Sequence, residues 1–200
     1  MAIIKALSQK QIARKFKPYA AELGNVIYSW NRLQETFALL LWFIAGRPAS
    51  NVLGAIWHSI PSDSQQRRCL RAGIEETPLN VWDGRPFAKI DLLWTLAIAD
   101  ELASYRNDAI HSPYFMMIDE KGAYLHPNVG LGNKRAKNLV GKELKAEFSE
   151  CVEDAESLWQ FTLRCYEALL WSDKPWPDRP ARLISKRFTD PQKLRRPKTS

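Results

Sequence analysis

The sequence predicts an all-α fold: a helical bundle of four to five helices with a small β-hairpin inserted before the last long helix. Three observations predict it. Apolar residues recur at three- and four-residue spacing through three long stretches, 8–46, 88–111 and 142–171. Gly, Pro and Ser/Asp punctuation stands between them at helix-stop and helix-start positions. Only one segment, 114–127, alternates with a strand-like period, and it carries a turn at its centre.

The elements follow in order. Pro18 is placed to start the main part of the first helix, since proline suits a first helical turn. Leu23, Val26, Ile27, Trp30, Leu33, Phe37, Leu40, Leu41 and Ile44 then form one stripe, and Gly46 and Pro48 stop it. A short helix is expected over 50–59. Another spans about 62–76, opened by Ser62 or Asp63 as cap and closed before Pro78. After a loop at 77–87 comes a helix over 88–111, with Ile90, Leu93, Trp94, Ala97, Ile98, Glu101, Leu102 and Tyr105 on its apolar face. Ser112 and Pro113 end it, because the residue before proline is pushed out of the helical region. "YFMMIDEKGAYLHP" reads as two short strands around an Asp-Glu-Lys-Gly turn, and 128–138 as a Gly- and Asn-rich loop. The last helix, 142–171, presents Leu144, Phe148, Val152, Ala155, Leu158, Trp159, Thr162, Leu163, Tyr166 and Leu170.

Two hundred residues with a 46% apolar share suit one domain with tails. The expected division is a helical domain over 1–171 and a basic, proline-rich C-terminal tail over 172–200 with little regular structure. Trp30, Trp42, Trp57, Trp94, Trp159 and Trp171 sit in apolar patterns as core or interface anchors. The net charge of +7 is uneven. Residues 1–21 carry five Lys/Arg and no acid, residues 172–200 carry nine against three acids, and the body between has 15 basic and 19 acidic residues. Basic ends of this kind bind nucleic acid without sequence preference, or are simply solvated. Cys69, Cys151 and Cys165 are odd in number and far apart, which points to reduced thiols in a cytoplasm. No signal peptide is readable, and the longest apolar run, 36–46, is too short to span a bilayer.

Much chemistry is excluded. His58, His111 and His126 have no His or Cys at ligand spacing, so no metal site is expected. "NVGLGNK" matches neither nucleotide-binding fingerprint, so no cofactor is expected. No Ser or Cys occupies a nucleophile elbow.

One stretch remains, "ASYRNDAIHSPYF" (103–115), which puts Arg106, Asn107 and His111 at the end of the helix over 88–111. Asn107 and His111 are four residues apart and share a face, so the amide can hold one ring nitrogen and leave the other to exchange a proton. Arg106 lies about 140° round the axis from His111, so one helix alone does not aim both at one point. A second copy of the helix would supply the missing group. An imidazole serves as general acid or base, and a guanidinium grips a phosphodiester and its added negative charge. With a ribose 2′-hydroxyl as nucleophile these parts suffice to cleave RNA without metal, and they would do little to DNA.

The motif "RNDAIH", an Arg-Asn pair followed by three residues and His on a long helix, resembles the signature of the HEPN superfamily (higher eukaryotes and prokaryotes nucleotide-binding domains). The resemblance rests on about six residues, in a helical layout compatible over 18–171. It implies an all-α fold, a homodimer that brings two motif helices together, and metal-independent endoribonuclease activity on RNA. Arg106 and His111 would be the catalytic pair and Asn107 the orienting residue. It also implies a place among toxins or antiviral defence effectors, with an antitoxin or other regulatory protein as partner. In toxins silenced by a nucleotidyltransferase, a Tyr follows the His by two. Here that position is Pro113 and Tyr114 comes one later, which argues against that regulation.

Two other readings stay open: a catalytically silent HEPN-like RNA- or protein-binding module, and a helical scaffold or regulator whose basic tail docks an acidic partner. Arg106 capping its own helix end is the plain structural role. Secondary candidates are Lys134, Arg135 and Lys137 as phosphate contacts, Glu35 as a residue facing the site, and His126 as a surface residue.

Overall fold

The structure is a computed structural model and describes residues 8–46, 50–119, 122–180 and 183. Ser8 opens α1 (Gln9–Ala45): its hydroxyl accepts from the Gln11 amide while the Gln11 side chain accepts the Ser8 N–H, a reciprocal cap. Pro18, expected to start the main helix, lies well inside it instead. Its turn is exposed, so the Arg14 carbonyl that loses an amide partner can bond water. Gly46 ends the helix at φ 75°, where a side chain would be strained. Pro48 lies outside the described residues.

α2 (Ser50–Ser59) and α3 (Asp63–Glu76) follow, and Ser62 rather than Asp63 is the cap of α3. That leaves the Asp63 carboxylate available for other partners. One 3-10 turn (Leu79–Trp82) leads to α4 (Ala88–His111). Then β1 (Tyr114–Asp119) and β2 (Gly122–Pro127) pair antiparallel, with Phe115 opposite His126 and Met117 opposite Tyr124. The central turn residues Glu120 and Lys121 lie outside the described residues. The following loop contains two helical turns that periodicity did not reveal, a 3-10 turn (Gly130–Gly132) and α5 (Lys134–Lys137), the latter capped by Asn133. α6 (Leu144–Leu170) closes the bundle, so the chain forms the all-α bundle with a hairpin before the last long helix.

α1 pairs most extensively with α6. Val26 shares a cluster with Phe148, and Arg32 bonds Glu156 at 2.9 Å, so the two helices advance in the same direction. The first turns of α1 project past the start of α6, and residues 8–18 are exposed throughout. The main core joins Trp30, Phe37, Trp57, Leu96, Leu158 and Phe161. A second cluster holds Val26, Ala109, Leu125, Leu139, Leu144 and Phe148, with Tyr114 and Met116 packed on it. The inner face of the hairpin is thereby clamped on the end of α4.

Some expected inward positions face out. Ile27 and Ile90 are exposed, as are Ala97 and Trp171. The buried side of α4 is Leu92, Thr95, Leu96, Ala99 and Leu102, and it includes Asp91. Periodicity puts a carboxylate outside. Here Asp91 is fully buried because Trp176 and Arg179 both reach it, at 2.7 Å each. The described part of the segment after α6, residues 171–180 and 183, has no helix or strand and lies against the bundle. Leu183 is buried with the main core and Trp176 packs beside it.

Arg85 holds the junction. Its Nε donates to the Ala168 carbonyl at 3.1 Å, and Nη2 reaches the Trp171, Ser172 and Lys174 carbonyls at 3.3, 3.0 and 2.8 Å. A cation at a helix C-terminus satisfies carbonyls that lack intrahelical partners. Arg85→Ala should cost about 1.5–3 kcal/mol, seen as a lower denaturation midpoint at unchanged m-value. Arg85→Lys should recover only part of it, because an ammonium lacks the planar fork.

Candidate functional site

α4 ends where the sequence stops it: Ser112 is extended at ψ 136° before Pro113. His111 is therefore the last helical residue, and it is exposed. Arg106 and Asn107 lie one turn earlier. Arg106 Nη1 donates to Asn107 Oδ1 at 2.9 Å, and Nη2 lies 3.5 Å from Asp63 Oδ2. The same carboxylate oxygen accepts Trp30 Nε1 at 2.7 Å, and the guanidinium stands 5.4 Å from the Trp30 ring centre. Arg106 keeps 21% of its side-chain surface open. Burial is the main influence lowering its pKa; Asp63 opposes that and Arg67 adds to it. An arginine so shifted still carries its charge at neutral pH.

Arg67, one turn along α3 from Asp63, lies 5.4 Å from the same indole. Its Nε donates to Asp100 at 2.7 Å, and Arg71 reaches the other oxygen of Asp100 at 3.2 Å. Three guanidiniums thus share two carboxylates. Buried donors remain without a partner among the described residues: Arg106 Nε, Arg67 Nη1 and the amide of Gln34, one turn beyond Trp30 on α1.

The predicted trio is only partly brought together. Arg106 and Asn107 are bonded to each other. No hydrogen bond joins Asn107 to His111 among the described residues, because the amide oxygen accepts from Arg106 instead. Arg106 turns inward to α1 and α3 while His111 faces outward, so the pair occupies separate environments within one chain.

On the face of α4 that carries Ser104 and Asp108 lies a cleft of about 320 Å³, lined by Ser104, Tyr105, Asp108, Asn138, Leu139 and Lys142. Ser104, Asp108 and His111 fall within about 60° of one another round the helix. Asn138 donates to Asp108 at 2.8 Å and ties the loop to α4. Lys134, Arg135 and Lys137 are exposed on α5, next in the chain to Asn138. Glu35 and His58 are exposed, and His126 is half-buried on the hairpin. No group of His, Cys, Asp or Glu among the described residues is placed to hold a metal ion, and none of the described helices is long and apolar enough to cross a membrane.

The sequence reading missed Trp30, Asp63 and Arg67 as neighbours of Arg106. One signal was available: Arg67 shares the buried stripe of α3 with Leu70 and Ile74, a charge where periodicity expects an apolar residue.

Tyr114, just past the motif, donates to the Ala109 carbonyl at 2.6 Å and packs edge-on against Phe148. Burial raises its phenol above the ordinary tyrosine pKa. The sign follows: the native state keeps a proton that the unfolded chain releases above about pH 10. The contribution of this tyrosine is whole below that pH and lost as pH climbs toward the folded value. Melts between pH 9 and 11 should show stability falling, and Tyr114→Phe should flatten that slope by up to about 1 kcal/mol per pH unit.

The chain matches no protein-family model, and neither the comparison with curated proteins nor that with solved structures finds a match.

Proposed function

We propose that this chain is a metal-independent endoribonuclease of HEPN type, acting on RNA as a homodimer in which Arg106 of one copy and His111 of the other meet at one phosphodiester. The observation that carries the reading is the placement of the motif. His111 stands exposed in the last turn of α4, and one turn below Arg106 is held by Asp63 and Trp30 and donates to Asn107. A guanidinium fixed in this way is preorganised for an anion. Lys142 at the edge of the cleft on the same side of α4 and the exposed cations of α5 suit a phosphate backbone.

In the proposed reaction the ribose 2′-oxygen attacks the adjacent phosphorus and loses its proton to an imidazole. Arg106 stabilises the charge on the phosphorane oxygens. The bond to the 5′-oxygen breaks, and that oxygen takes a proton from an imidazolium. The products are a 2′,3′-cyclic phosphate and a 5′-hydroxyl end, with no metal, oxidant or cofactor consumed. A role in toxicity or defence, with a regulatory protein partner, belongs to the same proposal.

A second reading has its own observation: the Asp63–Arg106 ion pair and the Arg106–Asn107 bond suffice for a structural role, in a module that binds RNA without cutting it. Incubation with single-stranded RNA in EDTA decides. Cleavage by wild type, lost in His111→Ala and Arg106→Ala, supports the nuclease. Binding without cleavage supports the silent module. Neither binding nor cleavage leaves a helical scaffold.

A further inference from the structure

The hairpin has two unlike faces. Tyr114, Met116 and Leu125 go inward onto the second cluster. The opposite face carries Phe115 and Met117 from β1, 40% and 36% exposed, facing His126 and Tyr124 of β2. Its rings already touch: Phe115 and His126 have centres 5.3 Å apart, and Tyr124 and His126 6.5 Å. His126 Nδ1 lies 2.8 Å from the Pro127 carbonyl. A carbonyl only accepts, so Nδ1 carries the hydrogen in this contact.

We propose that this face is a stacking platform for the unpaired bases of a single-stranded RNA. The inference rests on the proposed function and names the substrate form that the same site receives. Three features select a nucleic-acid strand as the occupant. Successive outward positions on a strand are about 6.8 Å apart, twice the roughly 3.4 Å rise of stacked bases, so the platform suits bases drawn out of their stack and not a closed duplex. Exposed cations stand at the end of the molecule that holds the hairpin, although the body as a whole is acidic. Lys134, Arg135 and Lys137 are exposed on α5, and Lys15 and Lys17 are exposed on the projecting turns of α1, just before the Tyr19 that packs beside the hairpin. Finally, only Ser112 and Pro113 separate His111 from β1, so the first ring of the face, Phe115, stands four residues from the imidazole in the chain. Aromatic rings beside cations are how proteins hold single strands without sequence preference.

The test uses the full-length chain carrying His111→Ala, so that RNA is not consumed, and a fluorescently labelled, unstructured 12-nucleotide RNA read by anisotropy. Phe115→Ala and Tyr124→Ala should each weaken binding at least about fivefold, and the pair more. Tyr124→Phe, which keeps the ring, should bind as its parent does. The same RNA annealed to its complement should bind weakly and be indifferent to the ring substitutions. Unchanged single-strand affinity in both alanine variants overturns the platform, and so does an equal loss on duplex RNA. A shift from dimer to monomer in the ring variants by light scattering also overturns it, by assigning the face to chain–chain contact. These results are separable from those on cleavage. A wild type that cuts RNA with ring-independent binding keeps the nuclease and loses the platform. A wild type that never cuts but binds through Phe115 and Tyr124 does the reverse.

Discussion

Arg179→Ala should destabilise the protein by about 3–5 kcal/mol, the cost of leaving a buried carboxylate without its cation. Asp91 is 0% and Arg179 6% exposed at the side chain, 2.7 Å apart, and Trp176 donates to the other Asp91 oxygen. Neither charge has water to fall back on. At this chain length a loss of that size lowers the melting temperature by on the order of 10 °C. Salt should barely alter the difference between wild type and variant, because a buried pair is poorly screened. Asp91→Ala alone removes the buried carboxylate from the guanidinium and should also destabilise the protein. The double variant Asp91→Leu/Arg179→Met removes both charges and should recover most of the loss. Urea denaturation of the four proteins checks this. An Arg179→Ala midpoint equal to wild type would mean the segment after α6 does not hold the bundle in solution.

That pair marks where reading the sequence stops. Helix spans were readable because their signals are local. Ser8 and Ser62 cap within three residues, Gly46 and Pro113 stop the chain where they stand, and alternation at 114–127 needs only six residues a strand. Asp91 and Arg179 are 88 residues apart, and each looks like an exposed charge until the chain folds. The inner face expected of α4 was right at Leu93, Trp94, Ile98, Leu102 and Tyr105 and wrong at two positions, for the same reason. Ile90 and Ala97, placed inward by the apolar count, face out, while Asp91 and Thr95 went inward because Arg179, Trp176 and the Asp91 carbonyl answer their polar groups. Periodicity counts polarity and cannot see satisfaction.

The candidate site divides in the same way. Arg106, Asn107 and His111 stood out because they are close in sequence. The residues that hold Arg106 come from α1 and α3, and nothing local links them to α4. The assembled picture changes the expectation for Asn107: its oxygen braces Arg106, not His111. Asn107→Ala should then act through the arginine, weakening phosphate grip more than proton transfer.

His111→Ala should lower RNA cleavage by about 10²–10⁴-fold, the usual worth of a positioned acid–base group, and Arg106→Ala by about 10²–10³-fold through lost charge stabilisation. Both variants should melt near wild type at His111, which is exposed, and somewhat lower at Arg106, whose loss frees Asp63. Within one chain the two side chains occupy separate environments, so the decisive measurement mixes the two inactive variants. If each site takes its arginine from one copy and its histidine from the other, a dimer of Arg106→Ala with His111→Ala holds one site with both groups intact and one with neither. Random exchange makes half of the dimers mixed, so about a quarter of wild-type activity should return, as the two-fold symmetry of an isologous dimer requires. If each site draws both groups from one chain, every site in the mixed dimer lacks one of them and no activity returns. That silence, with mixed dimers shown to form by light scattering or tag exchange, would refute the shared site and leave Arg106 as an internal ion-pair partner of α3.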